Sequence, residues 1–144
     1  MTDLTDPHGL GDIVVKVDDK EWCDLGGGTQ FKLLRCNMQS GEWTLYVRME
    51  AGAAFAPHRH LSNSEYYVTK GELLYDVGSA PAGTYGYEPI GSIHTQARCE
   101  IDTEMIFMGR GAVAFTGDEG EIRFILDNEF LRDVTTGDVN ADIS

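Results

Sequence analysis

The chain is poor in the features that mark several protein classes. Its three cysteines, Cys23, Cys36 and Cys99, are odd in number, widely spaced and free of any Cys-x-x-Cys pair. That argues against a disulfide framework or a zinc ribbon and leaves three buried thiols packed as small hydrophobes. Positive charge is scarce as well: 11 Lys and Arg face 24 Asp and Glu, a formal net charge of -13. The arginines Arg35, Arg48, Arg59, Arg98, Arg110 and Arg123 are scattered rather than clustered. Such a surface repels phosphate backbones and anionic lipid, so no nucleic acid and no membrane is expected as a partner. The opening "MTDLTDPHGLGDIVVKV" carries acids where a signal peptide needs positive charge, and no apolar run reaches the length of a membrane span. A soluble, cytoplasmic protein is expected. Repeats, low-complexity tracts, domain linkers and any sustained helical stripe are also missing.

Alternation with a period of two is what the sequence does have. Ile13, Val15 and Val17 fall on one side of "DIVVKVD"; Leu45, Val47 and Met49 oppose Thr44, Tyr46 and Arg48; Ile122, Phe124 and Leu126 oppose Arg123 and Asp127. These segments read as half-buried strands. Turn signals such as "LGGGTQ", "NMQSGE", "TKGE" and "TGDEGE" separate them at short intervals, the pattern of an antiparallel sandwich or barrel. With 144 residues, 42% of them hydrophobic, the chain suits one domain whose core needs no staple. The single domain 1-144 is expected to hold a barrel core at about 31-126, a strand segment before it and a loose tail after it. Within the tail, "NEFLRDV" suits a short helical turn. The unalternated run Met105 to Met108 suggests a strand covered on both faces, by the opposite sheet and by a terminal segment or a second subunit. Trp22 and Trp43 read as core or interface aromatics.

The chemistry is concentrated in "APHRHLSNSEYY". On a strand His58 and His60 point to one face and Arg59 to the other, so one strand supplies two adjacent metal ligands. Glu65 follows a polar stretch that can bend the chain back, and His94 closes "YEPIGSIH". Imidazole suits zinc, copper, iron and nickel, and a carboxylate adds manganese. A surface histidine pair, or a buried one held by hydrogen bonds, is the plainer alternative.

The spacing resembles the cupin superfamily. Its first motif is matched in "GAAFAPHRHLSNSEYYVTKG" at Gly52, His58, His60, Glu65 and, one residue early, Gly71. Its second is matched in "GTYGYEPIGSIHTQAR" at Gly83, Pro89, Gly91 and His94, with Arg98 in place of the usual asparagine. The resemblance implies an all-β cupin barrel, a jelly-roll-like double-stranded β-helix, with a metal on His58, His60 and His94. Most of the chain looks like the small single-domain dioxygenases that cleave acetylacetone and their relatives acting on 2,4'-dihydroxyacetophenone. That likeness implies Fe(II), with Zn, Mn or Ni possible in the isolated protein, cleavage of a carbon-carbon bond by O2 in a small-molecule substrate, and a homo-oligomer, dimer or tetramer. Three neutral imidazoles leave the ion's double charge uncompensated, which suits an enolate ligand.

Around this centre the readings diverge. Glu65 either coordinates as a fourth ligand, as the cupin motif implies, or hydrogen-bonds to a bound water or a histidine, as the acetylacetone-type likeness implies. Glu88 matches a glutamate that orients water or receives a substrate proton in that group; its plainer reading is a solvated turn residue. Tyr66 and Tyr67 point to opposite faces; Tyr66 is the catalytic candidate beside Glu88, with a core tyrosine as the alternative. Asp76 and Ala97 replace a basic residue and a hydroxyl, so the substrate channel differs from that of the acetylacetone-cleaving enzyme. Arg98 takes the asparagine's role or pairs with an acid. Two other functions fit a cupin barrel: an oxygen-independent isomerase or lyase, and a metal sensor like the zinc-binding cupin domain of anti-sigma factors, although this chain has no room for the helical domain those need.

Overall fold

The computed structural model describes residues 11–144; the opening residues 1–10, with His8 and most of the stretch read as unlike a leader, lie outside it. A six-stranded sheet forms one wall, in the order β1 (Cys23–Gly26), β2 (Thr29–Cys36), β3 (Trp43–Met49), β12 (Thr103–Gly109), β6 (Ser64–Lys70) and β9 (Tyr85–Glu88). A four-stranded sheet contains β10 (Ile93–His94), β5 (His58–His60), β13 (Val113–Thr116) and β14 (Ile122–Leu126). A second one contains β4 (Ala54–Phe55), β11 (Ala97–Arg98), β7 (Glu72–Tyr75) and β8 (Gly78–Pro81). Inward side chains of all three sheets line one shared cavity, so the sheets close into a barrel. The expected all-β architecture is what the chain adopts.

Alternation explains the walls. On β3 Trp43, Leu45, Val47 and Met49 are buried while Arg48 is exposed, as the sequence pattern requires. β12 lies in the middle of the large sheet, paired on both edges, and Met105 and Phe107 point inward. Ile106 and Met108, on its outer face, are only half-buried. The central position accounts for the apolar run, and the complete cover expected on both faces is not present among the described residues.

Three expectations need correction. "DIVVKVD" forms no strand: Val14 is 90% exposed and Val17–Asp19 make a single 3-10 turn. The side of β2 away from β3 is taken by β1, and this alternating segment pairs with no strand. In the C-terminal strand, Ile122 is 55% exposed because the β13 pairing shifts register between Phe115 and Thr116 and breaks the alternation there. Nor is the tail loose. Asn128–Thr136 is a helix, α1, capped by Asp127, whose carboxylate accepts from the Phe130 N–H at 2.8 Å, and ended by Gly137 at φ 86°. It buries Leu131 and Val134 and packs against β1, β2 and β14.

One single residue differs too. Cys36 and Cys99 are buried, but Cys23 is only partly so. Trp43 is a core ring stacked on Phe107 at 5.7 Å, whereas Trp22 is half-buried on the outer face. The cations of Lys32 and Arg48 lie 4.6 and 4.1 Å from the Trp22 ring. Among the described residues no helix is long and apolar enough to cross a membrane.

Candidate metal centre

β5 positions the first two histidines by simple alternation: His58 and His60 are buried and Arg59 is exposed. His94 arrives from β10, whose antiparallel register places it directly opposite His58. The ring centroids are 5.5 Å apart for His58 and His60, 5.0 Å for His58 and His94, and 5.1 Å for His60 and His94. Among the described residues these three offer donor atoms that all lie within 4.8 Å of one another.

Hydrogen bonds fix which nitrogens face inward. The Ala56 carbonyl accepts from Nδ1 of His58 at 2.9 Å, leaving Nε2 as a lone-pair donor toward a metal. That Nε2 lies 3.1 Å from Nδ1 of His94, so a proton on His94 is shared between the two rings. Nδ1 of His60 is 3.3 Å from the Ser64 hydroxyl, and its Nε2 has no hydrogen-bond partner among the described residues. A buried, unpaired imidazole nitrogen turned toward two more imidazoles is what a ligand set needs and what a core histidine avoids.

Electrostatics agree with the geometry. Burial lowers His58 to about 4 and His60 to about 3, and also lowers His94, so all three are neutral near pH 7. No proton on a charged imidazole has to be displaced for a cation to enter. The residues present therefore fit a divalent ion that accepts nitrogen donors.

The carboxylate inside is not the one the cupin motif offers. On β6 Ser64 faces inward to His60, so Glu65 faces outward by alternation. There it accepts from the Tyr85 hydroxyl at 2.5 Å and pairs with Arg110 at 3.3 Å, and those partners hold its carboxyl below the usual range. Glu65 as a fourth ligand is thus corrected by its position. Glu88 enters instead, from β9 opposite Ser64, and is only 5% exposed. Its Oε2 is 3.1 Å from Nε2 of His94 and 3.6 Å from Nε2 of His60. Burial pushes Glu88 up to about 7, so with neutral imidazoles its contact with His94 is a shared-proton hydrogen bond rather than an ion pair. The solvated-turn reading of Glu88 does not hold.

Tyr66 is buried, but it meets the cavity through another residue. Its hydroxyl is 2.7 Å from that of Tyr75, and it is Tyr75 that lines the cavity, edge-on to His94 at 4.9 Å. Gly86 makes this possible, since any side chain there would collide with the Tyr66 ring. Tyr67 is exposed on the outer face with Tyr85 and Tyr87. The cavity measures about 70 Å³ and is overwhelmingly apolar beyond the histidines and Glu88. Ala97 is part of its wall. Asp76 lies at the surface and accepts from the Thr95 N–H and hydroxyl, anchoring the residue after His94. Arg98 pairs with Glu100 at 3.0 Å, which settles its alternatives in favour of the acid partner. Tyr75 was missed in the sequence, although "ELLY" alternates Leu73 and Tyr75 onto one face.

The family pattern described as the ChrR Cupin-like domain matches residues 10–114. The chain is a cupin of that family. This cupin is 26% identical over 119 residues to the acetylacetone-cleaving enzyme of Acinetobacter johnsonii, across 75% of this chain and 78% of that enzyme. The crystal structure of a putative acetylacetone dioxygenase from Methylibium petroleiphilum PM1 superposes with a TM-score of 0.84 at 26% identity, covering 88% of this cupin and 95% of that chain. That of the Acinetobacter johnsonii acetylacetone dioxygenase gives 0.83 at 22% identity, covering 95% and 99%.

Proposed function

We propose that this cupin is an Fe(II)-dependent dioxygenase that cleaves a carbon-carbon bond in a small 1,3-diketone or hydroxyketone, with O2 as co-substrate. The observation that carries the reading is the donor set: three neutral, buried imidazoles with no carboxylate among them. Such a set neutralises neither positive charge of the ion, which favours a chelating enolate anion over a neutral ketone. Similarity to the acetylacetone-cleaving enzyme supports the same chemistry. When bound, iron(II) supplies Lewis-acid polarisation of the carbonyl oxygens and the electrons that open the way to oxygen.

The chain's own residues do the rest. Glu88, raised to about 7 and 3.1 Å from His94, in its ionised form receives the proton a diketone loses on becoming an enolate. Tyr75, backed by Tyr66, holds the His94 ring from its edge. The apolar wall excludes water from the reacting carbons. Acetylacetone itself is not assigned, because Ala97 puts a methyl group in the cavity wall where a hydroxyl is expected for that substrate. The homo-oligomeric state and the cytoplasmic location belong to the same proposal, tested by sedimentation and by cell fractionation.

Oxygen uptake by anaerobically reconstituted Fe(II) protein, against 1,3-diketones and aryl hydroxyketones with the zinc protein as control, tests the function. Uptake with iron and one substrate class supports it. Firm metal binding without uptake for any substrate rejects it in favour of an oxygen-independent lyase, an isomerase or a sensor.

A further inference from the structure

Residues 141–144 lie far from the cupin motifs in sequence, yet Ile143 is 1% exposed and lines the same cavity as the three histidines. Its backbone is held on both sides: the Ile143 N–H donates to the Leu25 carbonyl at 2.8 Å, and its own carbonyl accepts from the Ala56 N–H at 2.8 Å. The segment therefore bridges β1 and the residue after β4. Asp142 accepts from the Ser144 N–H at 3.0 Å and turns the chain on either side of Ile143.

The opposite strand has left space for it. Gly26 and Gly27 adopt φ of 84° and 62°. A Cβ at Gly26 would lie 2.7 Å from Cα of Asp142, and one at Gly27 would lie 2.8 Å from Cβ of Ser144. Part of the "GGG" run, read in the sequence only as a turn, is thus the seat of this segment. The anchor at Ala56 also reaches the histidines, since the residue whose N–H holds Ile143 uses its carbonyl to orient His58. A wall tied at this point sits in fixed relation to the metal ligands.

From this placement we infer that Ile143 is the specificity-determining wall of the site: it restricts the ligand held at the histidines to short aliphatic substituents and excludes aryl ones. The ligand class rests on the function proposed above; the wall does not. A hydrophobic pocket discriminates by about 10- to 200-fold for a single methylene, and Ile143→Ala removes three carbons from a cavity of about 70 Å³. That brings the cavity toward the roughly 150 Å³ at which an apolar void takes up benzene.

The test uses zinc-loaded protein, which binds without turning over, and compares the dissociation constants of pentane-2,4-dione and 1-phenylbutane-1,3-dione by calorimetry. The aryl-to-alkyl ratio of dissociation constants should fall by about tenfold or more in Ile143→Ala, with Ile143→Val between it and the wild type. General damage to the fold weakens both ligands and leaves the ratio where it was. An unchanged ratio in folded Ile143→Val and Ile143→Ala proteins overturns the inference, and Ile143→Val alone decides if the alanine variant does not fold. If the wild type binds neither diketone, the functional reading fails, and the wall is decided by benzene uptake followed by NMR. Benzene entering an Ile143 variant but not the wild type upholds it; equal uptake overturns it.

Discussion

Replacing Tyr66 by phenylalanine removes one oxygen and leaves the ring stacked on Phe107 at 6.1 Å. The Tyr66 and Tyr75 hydroxyls are each other's partners at 2.7 Å, and burial pushes both above the ordinary tyrosine value, so both are neutral phenols. A buried neutral hydrogen bond contributes about 0.5–1.5 kcal/mol net, so Tyr66→Phe and Tyr75→Phe should each cost about 1 kcal/mol. The double variant should cost little more than either single one, a coupling of about 1 kcal/mol in urea denaturation of the four proteins. A neutral phenol behind Tyr75 positions and does not act as a base, so Tyr66→Phe should lower the oxygen-uptake rate by about tenfold or less at equal iron content. Additive stabilities would refute the hydroxyl pair. A rate loss of a thousandfold with stability retained would show that Tyr66 touches the substrate itself.

Other outcomes follow from the same geometry. His94→Ala should abolish tight metal binding while circular dichroism keeps its β signature, because the core cluster does not depend on the ion; an unfolded variant would make the metal structural. Glu88→Gln should lower kcat by about 10²- to 10⁴-fold, with diketone affinity of the zinc protein nearly unchanged. In chelator-treated protein, His58 and His60 have folded values of about 4 and about 3 against 6.5 when unfolded, so the unfolded chain takes up protons that the folded one refuses. Their effect on stability is absent above pH 6.5 and grows as the pH falls from there toward 3. Glu88, raised to about 7, gains stability as the pH falls over the same range and opposes them, so between pH 7 and 5 the denaturation midpoint should shift upward in a His58→Gln, His60→Gln variant relative to the wild type, and equal slopes would refute the assignment.

The barrel walls were legible because alternation on segments such as Trp43–Met49 is set by burial on one face. Alternation failed for Ile13 to Val17 because it reports a one-sided environment and not the presence of a partner strand. It failed at Ile122 because a register shift leaves no mark in composition. His58 and His60 were readable from period two alone, but Glu65 was not: its face depends on how many residues "LSNS" uses in the turn, and Ser64 takes the inward place. Glu88 was found through the resemblance to the acetylacetone-cleaving enzymes, while its burial came from pairing with β6. Ile143 carried no signal, since a lone apolar residue among "NADIS" becomes a wall only through contacts with Leu25 and Ala56, far away in sequence.

The central claim is a metal held by three imidazoles while Glu65 stays outside. X-ray absorption spectroscopy of the Fe(II)-loaded wild type and of Glu65→Ala tests it most directly. The account predicts scattering from three imidazoles in both proteins and no change in the first coordination sphere on removing Glu65. Loss of an oxygen ligand in Glu65→Ala, or fewer than three imidazoles in the wild type, would contradict it.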